Sequence, residues 1–376
     1  MKKPLLLIFA FLVNIVFINA QEELALVRYN DQYGYINRAG DMVINPQFPK
    51  AGDFSEGLAA AMRNKKWGFI DNSGKWAIDP IYDKVKPFNS GYALVMSDKR
   101  WNYMDKKGEI LNTPIKEKYY DFDDGVAFYI QDKKVGLINT KGEVVLEPTY
   151  DVIKPFVQGH ARVRIEKSWG MIDKTGKLVV PVEYTDIGDY NKRGIVGKKG
   201  ESFGIILKGE FNIISETNKV WDFDDNSSLT YAKRDKKVGF INNKGEWVIQ
   251  PTFDKVRAFS NGLAPVYKDK KWGYINEKGD QVIDFLFVDA ETFASNGLAP
   301  IKEKKLWGFI NKTGKMVIPA EYIITAGGLS LFQKNNLKGF HKGVARVKYN
   351  KTWGFIDEKG SPIGGKWYEN VENFSK

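Results

Sequence analysis

The chain has 376 residues, of which 43% are hydrophobic and 14% aromatic, which is too apolar for disorder and ample for a large core. It contains no cysteine, which excludes disulfides, Cys-ligated metals, thiol nucleophiles and a lipidated cysteine together. The formal charge of +11 is modest for this length, so where the charge sits matters more than its total.

The first twenty residues stand apart. Lys2 and Lys3 precede an apolar run from Pro4 to Ile18, broken only by Asn14, and Ala20 offers a small residue for cleavage. A spanning helix needs about 20 apolar residues. The run therefore reads as a secretory leader over 1–20, cleaved after Ala20, with an uncleaved anchor as the alternative. Export to the periplasm, cell surface or medium follows as an expectation. No later stretch is apolar enough for a transmembrane span.

From residue 21 onward one phrase repeats. An aromatic or valine followed by glycine falls at Tyr33-Gly34, Trp67-Gly68, Val135-Gly136, Trp169-Gly170, Phe203-Gly204, Val238-Gly239, Trp272-Gly273, Trp307-Gly308 and Trp353-Gly354. The same slot holds Trp101-Asn102. Six residues on comes another glycine, as at Gly40, Gly74 and Gly108, then a Pro-x-aromatic such as Pro80-Ile81-Tyr82, then Phe-x-x-Gly such as Phe88/Gly91.

Each period holds three strand-like segments rich in aromatic and β-branched residues. Strand A is "KWGFID", strand B is "KWAID", and strand C, just after Phe-x-x-Gly, is "LAPVYK". The A–B link, Asp71-Asn72-Ser73-Gly74-Lys75, carries the chemistry of a type I turn closed by a left-handed glycine. The C–A link, such as "NKK", is of hairpin length. The expected fold is all-β: a tandem array of about ten three-stranded antiparallel meanders of about 34 residues. Ten intact units favour an open, superhelical stack over the alternative, a closed propeller-like ring, because rings usually have about 4–8 blades.

This pattern resembles the WG (KWG) repeat family of bacterial proteins, and the resemblance covers the chain from residue 21 to 376. It implies short β-rich units, often exported or envelope-associated, with no known enzymatic activity. The motif residues Trp67, Gly68, Trp101, Trp169, Gly170, Trp272, Gly273, Trp307, Gly308, Trp353 and Gly354 are read as structural. Gly weakens a strand interior. Its expected reason at Gly68 is to let a neighbouring ring, Tyr82 or Phe88, lie on the backbone.

Two stretches are irregular. Val182 to Lys236 lacks an obvious apolar strand C, and an insertion near 321–338 carries Leu329, Leu331 and Phe332 outside the repeat. The insertion is read either as part of a binding face or as a surface loop.

Catalytic chemistry is not visible. His160 and His341 sit in different repeats without a patterned Ser or Asp partner, and no phosphate or dinucleotide fingerprint occurs. The clusters Asp121-Phe122-Asp123-Asp124 and Asp222-Phe223-Asp224-Asp225 lack a full calcium ligand set, so they read as solvated connectors. Trp76 and Trp247 share a slot with Met42, Val144, Leu178 and Met316, which marks that slot as apolar rather than sugar-stacking. No catalytic, cofactor or metal residue is assigned.

Charge is distributed unevenly. The five residues before each Trp position sum to +16 over ten turns, whereas the A–B turns sum to +1. Lys65, Lys66, Lys133, Lys134, Lys236, Lys237, Lys270, Lys271, Lys304 and Lys305 are thus candidate ligand contacts for an anionic polymer. The competing reading is that lysine at hairpin tips discourages edge aggregation. The expected function is an exported, non-enzymatic binding or scaffold protein of the cell envelope, its partner a protein or an anionic polysaccharide. The alternatives are a structural spacer and, last, an enzyme with an unrecognised site. Nucleic acid is not an expected partner at that address.

Overall fold

A computed structural model describes residues 22–115, 117–325 and 338–376. The leader expected at 1–20 and most of the insertion lie outside the described residues. Among those described, the one helical element is a 3-10 turn, Ile363–Gly365. Everything else regular is strand, arranged as ten small antiparallel sheets that follow one another in chain order.

Each sheet is a blade. Blade 2 shows the pattern, with strands Ala51–Ser55, Leu58–Arg63, Lys66–Ile70 and Trp76–Tyr82. The last three are the expected C, A and B. The first is a strand that the sequence hides inside the connector, here called D. In most blades D is only two residues long, as in Lys84–Val85 and Lys255–Val256. Seven sheets have four strands and three have three, among the described residues. Strands C and A are buried over most of their length, while B alternates buried and exposed residues, so B borders solvent on one face.

Strand D decides how the array ends. The first blade, Ala25–Tyr29, Gln32–Ile36 and Met42–Phe48, has no D strand of its own at the N-terminal side. Asn370–Val371 supplies it, pairing Val27 with Val371 and Arg28 with Asn370. Leu24 and Ser375 exchange backbone hydrogen bonds of 2.9 and 3.0 Å just beyond. Ala25, Val27 and Ile36 then share a buried cluster with Phe355, Tyr368 and Val371. The ten sheets therefore close into a ten-bladed β-propeller, the ring rather than the open stack. The ten units look intact in the sequence because the C-terminal "ENVENF" carries no period of its own. It is a connector, and its two-residue strand is the one that completes the first blade.

The same geometry explains the glycine after tryptophan. In strand A of blade 2, Trp67 pairs with Tyr82 and Phe69 with Ile78, so strand B carries extra residues opposite Gly68. That bulge presses B against A. A Cβ at Gly68 would lie 2.4 Å from the Ile78 carbonyl oxygen and 2.7 Å from Pro80 N. The contact recurs at Gly34 with Ile44, Gly136 with Leu146, Gly170 with Val180, Gly239 with Ile249, Gly273 with Ile283 and Gly308 with Ile318. The expectation of a ring over Gly68 is therefore corrected: its neighbour is backbone. A ring does lie on other copies: Phe211 at Gly204 and Trp367 at Gly354, where strand B is short or irregular, and Tyr129 beside the backbone contact at Gly136. Blade 3 carries Asn102 in place of glycine. Among the described residues it has no strand B, only a bridge from Ile110 to Met104, so no bulge faces Asn102.

The stretch that reads as irregular in blade 6 is regular in its strand C: Ile195–Lys199 forms it, with Ile195, Val196 and Gly197 buried. Among the described residues, irregularity falls instead on blades 3 and 10, without B, and on blade 4, where Val126–Gln131, Lys134–Asn139 and Val144–Tyr150 have no D strand.

Candidate functional site

Antiparallel strands place the C–A turns at one end of every blade and the A–B turns at the other. In a closed ring these ends become two faces. The A–B face is built by nine similar turns in which an Asp or Asn side chain caps its own loop. Asp71 Oδ1 accepts from the N–H groups of Ser73 and Lys75, and Asn242 Oδ1 from those of Lys244 and Glu246. The two acidic clusters lie in the loops that lead into strand C of blades 4 and 7, at this same end, and meet cations of neighbouring blades. Lys86 pairs with Asp121 at 3.0 Å, Lys174 with Asp124 at 2.7 Å, and Arg193 approaches Asp225 at 3.7 Å.

The C–A face carries the candidate lysines. Lys65, Lys66, Lys133, Lys236, Lys237, Lys270, Lys271, Lys304 and Lys305 are exposed, and Lys134 is half-buried. The face does not act as one bare cationic ridge. The chain passes from B to D on the same side and brings acids with it. Lys66 pairs with Asp83 at 2.5 Å, Lys134 with Asp151 at 2.7 Å and Lys237 with Asp254 at 2.5 Å. No ion pair is formed by Lys65, Lys133, Lys236, Lys270, Lys271, Lys304 or Lys305 among the described residues.

Three of the turns holding these lysines have both central residues at positive φ, as at Asn64 (52°) and Lys65 (63°), or Asp269 (50°) and Lys270 (63°), whereas in the Asp235-Lys236 and Lys304-Lys305 turns only the first residue does. Lys99, Lys133 and Lys351 sit likewise at 64°, 64° and 72°. Glycine is the residue such a position normally takes. Five turns hold lysine there instead, at a conformational cost of roughly 1–2 kcal/mol each. The sequence pattern marks the charge but not this strain.

Beside these turns lies a cleft of about 640 Å³ between blades 7, 8 and 9. Its walls include two aromatic pairs. Trp221 and Tyr231 have ring centroids 4.8 Å apart, and Tyr267 and Trp272 are 5.4 Å apart. Trp272 is the repeat's motif residue in blade 8, buried with its ring under the guanidinium of Arg257 at 4.6 Å. Arg257 is itself fixed by Asp289 at 3.0 Å and Glu291 at 3.1 Å. Lys338, where the chain returns from the insertion, pairs with Glu291 at 2.7 Å. Sequence reasoning missed this site because Trp221 and Tyr231 lie outside the motif. The cue available was Trp221 itself, an aromatic residue at a connector position that holds Lys86, Lys154, Gly188, Arg257 and Glu291 in other blades.

The other motif residues keep to packing. Trp67 and Trp307 are buried, and Trp101, Trp169 and Trp353 are half-buried. Arg346 lies over Trp353 at 3.8 Å, and Arg164 over Trp169 at 5.5 Å. Trp76 and Trp247 are half-buried rather than fully enclosed, each under an arginine of its own blade, Arg63 and Arg234. His160 stacks on Tyr190 with centroids 3.7 Å apart. His341 lies in blade 10, its imidazole held below the usual range by burial and by the charges of Lys342 and Arg38.

The sequence profile of WG containing repeats matches residues 33–67, 67–101, 136–167, 169–197, 239–272, 272–307 and 307–322, more than half of the chain. The chain belongs to the WG repeat family. All but the last of these matches span parts of two consecutive blades, since a profile that starts at the motif aromatic runs through B, D and C to the next; 307–322 covers A and B of blade 9 alone. No curated protein matches the sequence. Among solved structures, a eukaryotic initiation factor aligns at TM-score 0.53 and 11% identity, over 94% of this chain and 98% of that one. This is a likeness of fold. PorZ, a surface component of the type-IX secretion system of Porphyromonas gingivalis, aligns at TM-score 0.26 and 11% identity, over 93% of this chain and 59% of that one. Hsv2 of Kluyveromyces marxianus gives 0.34 and 12%, over 54% and 73%. Those two are too distant in shape to carry an argument. Among the described residues, no helix is long and apolar enough to cross a membrane.

Proposed function

We propose that this WG repeat propeller is an exported, non-enzymatic binding protein of the bacterial cell envelope, and that it meets its partner, a protein or an anionic polysaccharide, with the C–A face. The observation that carries the reading is the lysine held at positive φ in five C–A turns. A residue kept where glycine would be cheaper is a sign of selection for the side chain. These five, Lys65, Lys99, Lys133, Lys270 and Lys351, are exposed and form no ion pair among the described residues, and so supply a field for an anionic partner. The apolar leader at 1–20 supports export.

The test is sedimentation of the purified protein with isolated envelope fractions across a salt series. A second protein with those five lysines changed to glutamine runs alongside. Binding should weaken steeply with salt and fall at least tenfold in the variant. Equal, salt-insensitive binding by both would reject this face. No binding by either would favour the spacer reading, to which the pairing of Lys66, Lys134 and Lys237 with acids lends some weight.

A further inference from the structure

The repeat allows one position to be compared around the ring. The first residue of strand D faces the next-to-last residue of strand C in the same blade. In blade 6 these are Asp186 and Lys198, and in blade 9 Asp289 and Lys302, both opposite charges. In blade 3 they are Lys84 and Met96, in blade 5 Val152 and Arg164, and in blade 8 Lys255 and Tyr267. Blade 7 differs. Its Lys219 stands directly opposite Lys233. Like charges in register across a ladder destabilise the pair. No ion pair relieves either lysine among the described residues. The arrangement is a cost to the free protein and a gain once an anion sits between them.

The two lysines flank the aromatic cleft. Lys233 lines it, and the Lys219 ammonium lies 4.5 Å from the centre of the Trp221 ring, which also lines it. Lys255 sits 5.2 Å over Tyr267 on the other side. Trp221, Tyr231 and Tyr267 are half-buried, so each leaves ring surface free. Aromatic faces carry negative charge density and attract the polarised C–H groups of a saturated ring. The volume lies within the roughly 300–1,000 Å³ of small-molecule sites. The remaining charges are committed: Arg257 to Asp289 and Glu291, and Asp254 to Lys237. The surplus is thus cationic and concentrated at Lys219, Lys233 and Lys255.

We infer that the cleft between blades 7 and 8 is a binding site for an acidic saccharide, its sugar ring lying against Trp221 and Tyr267 and its anionic group between Lys219 and Lys233. The inference rests on the reading of this protein as a binder and names one ligand class and place. Half-buried aromatics supply affinity for the ring. The opposed lysines supply the preference for charge.

Titration calorimetry on the full protein tests it with three probes: tetragalacturonate, a heparin-derived tetrasaccharide and neutral maltotetraose. At least one acidic probe should bind at least tenfold more tightly than maltotetraose and raise the melting temperature. The two acidic probes distinguish a carboxylate from a sulfate. The double variant Lys219→Gln/Lys233→Gln should lose that preference at least tenfold, while the free protein melts at the same temperature or higher. Trp221→Ala should weaken acidic probes without restoring neutral binding. Equal affinity for acidic and neutral probes, or no binding of either acidic probe, overturns the proposal. So does acidic binding that survives the double variant. Acidic binding that disappears only in the five-lysine turn variant overturns the cleft while keeping the C–A face.

Discussion

Gly68 lies against the main chain of Ile78, so closely that a β-carbon on it would meet the Ile78 carbonyl oxygen at 2.4 Å. Backbone cannot rotate away as a side chain can. Gly68→Ala or Gly239→Ala should therefore force strand B off strand A. A strained core substitution costs about 1–3 kcal/mol, and the shared bulge puts these at the upper end. The reverse change, Asn102→Gly in blade 3, removes no packing partner of strand B and should cost no more than about 1 kcal/mol. Thermal unfolding of the three variants checks this. Equal losses for all three would reject the crowding explanation of the motif.

Ring closure depends on a short strand. Val371 is fully buried against the first blade, and its pairing with Val27 is the last rung of the ring. Arg346 reinforces the closure by donating to the Val371 carbonyl at 2.8 Å and to Asn370 Oδ1 at 3.0 Å. Val371→Asp buries an unpaired carboxylate and should cost about 3 kcal/mol or more. It should also bare the Ala25–Tyr29 edge, and such edges pair with other chains. Light scattering should show self-association at temperatures where the parent protein stays monodisperse. A variant as stable and as monodisperse as the parent would mean that closure contributes little.

Most of the fold is legible in the sequence because the repeat is strong. The Asp71-to-Lys75 turn chemistry and the alternation of strand B around Ile78 fix the hairpins and their register. Closure is not legible, since Asn370–Val371 is too short to show a period and its partner lies at the other end of the chain. The lysine turns are legible as charge. Their pairing with Asp83, Asp151 and Asp254 is not, because it depends on where the B-to-D passage returns. The cleft is least legible of all. It joins Trp221, Tyr267 and Lys233 from two blades, none of them part of the motif.

The A–B turns should give the protein an acid-sensitive component. Burial pushes the Asp71 carboxyl up, but hydrogen bonds from the Ser73 hydroxyl and from the Lys75 and Ser73 N–H groups outweigh it, leaving the group below its ordinary value. Asp173 is balanced the same way by Thr175 and Lys177. A carboxyl depressed in the folded state stabilises fully above its unfolded value, about 3.9, and loses that contribution as pH falls through its folded value. Asn fills this position at Asn37, Asn139, Asn242, Asn276 and Asn311 with the same acceptor geometry. Asp71→Asn/Asp173→Asn should therefore melt close to the parent at neutral pH and lose less stability between about pH 5 and pH 3. Parallel melting curves for the two proteins over that range would contradict the assignment.

The exposed ion pairs of the C–A face should matter little to stability, and the strained lysines should matter in the opposite sense. Lys66 and Asp83 are both more than a third exposed, so Lys66→Gln should change stability by no more than about 1 kcal/mol. Lys65, its neighbour in the same turn, sits at φ 63° behind Asn64 at 52°. Lys65→Gly gives the Asn-Gly sequence that this hairpin prefers and relieves the left-handed strain. Part of the gain is offset, because glycine also loosens the unfolded chain. The net effect should be a stabilisation of roughly 0.5–1 kcal/mol. Lys270→Gly should behave alike behind Asp269. Combining the two should raise the melting temperature while weakening envelope binding, since each removes an exposed, unpaired charge. If both variants instead melt lower than the parent, the lysines hold their turns by contacts of their own, and selection for a partner loses its strongest support.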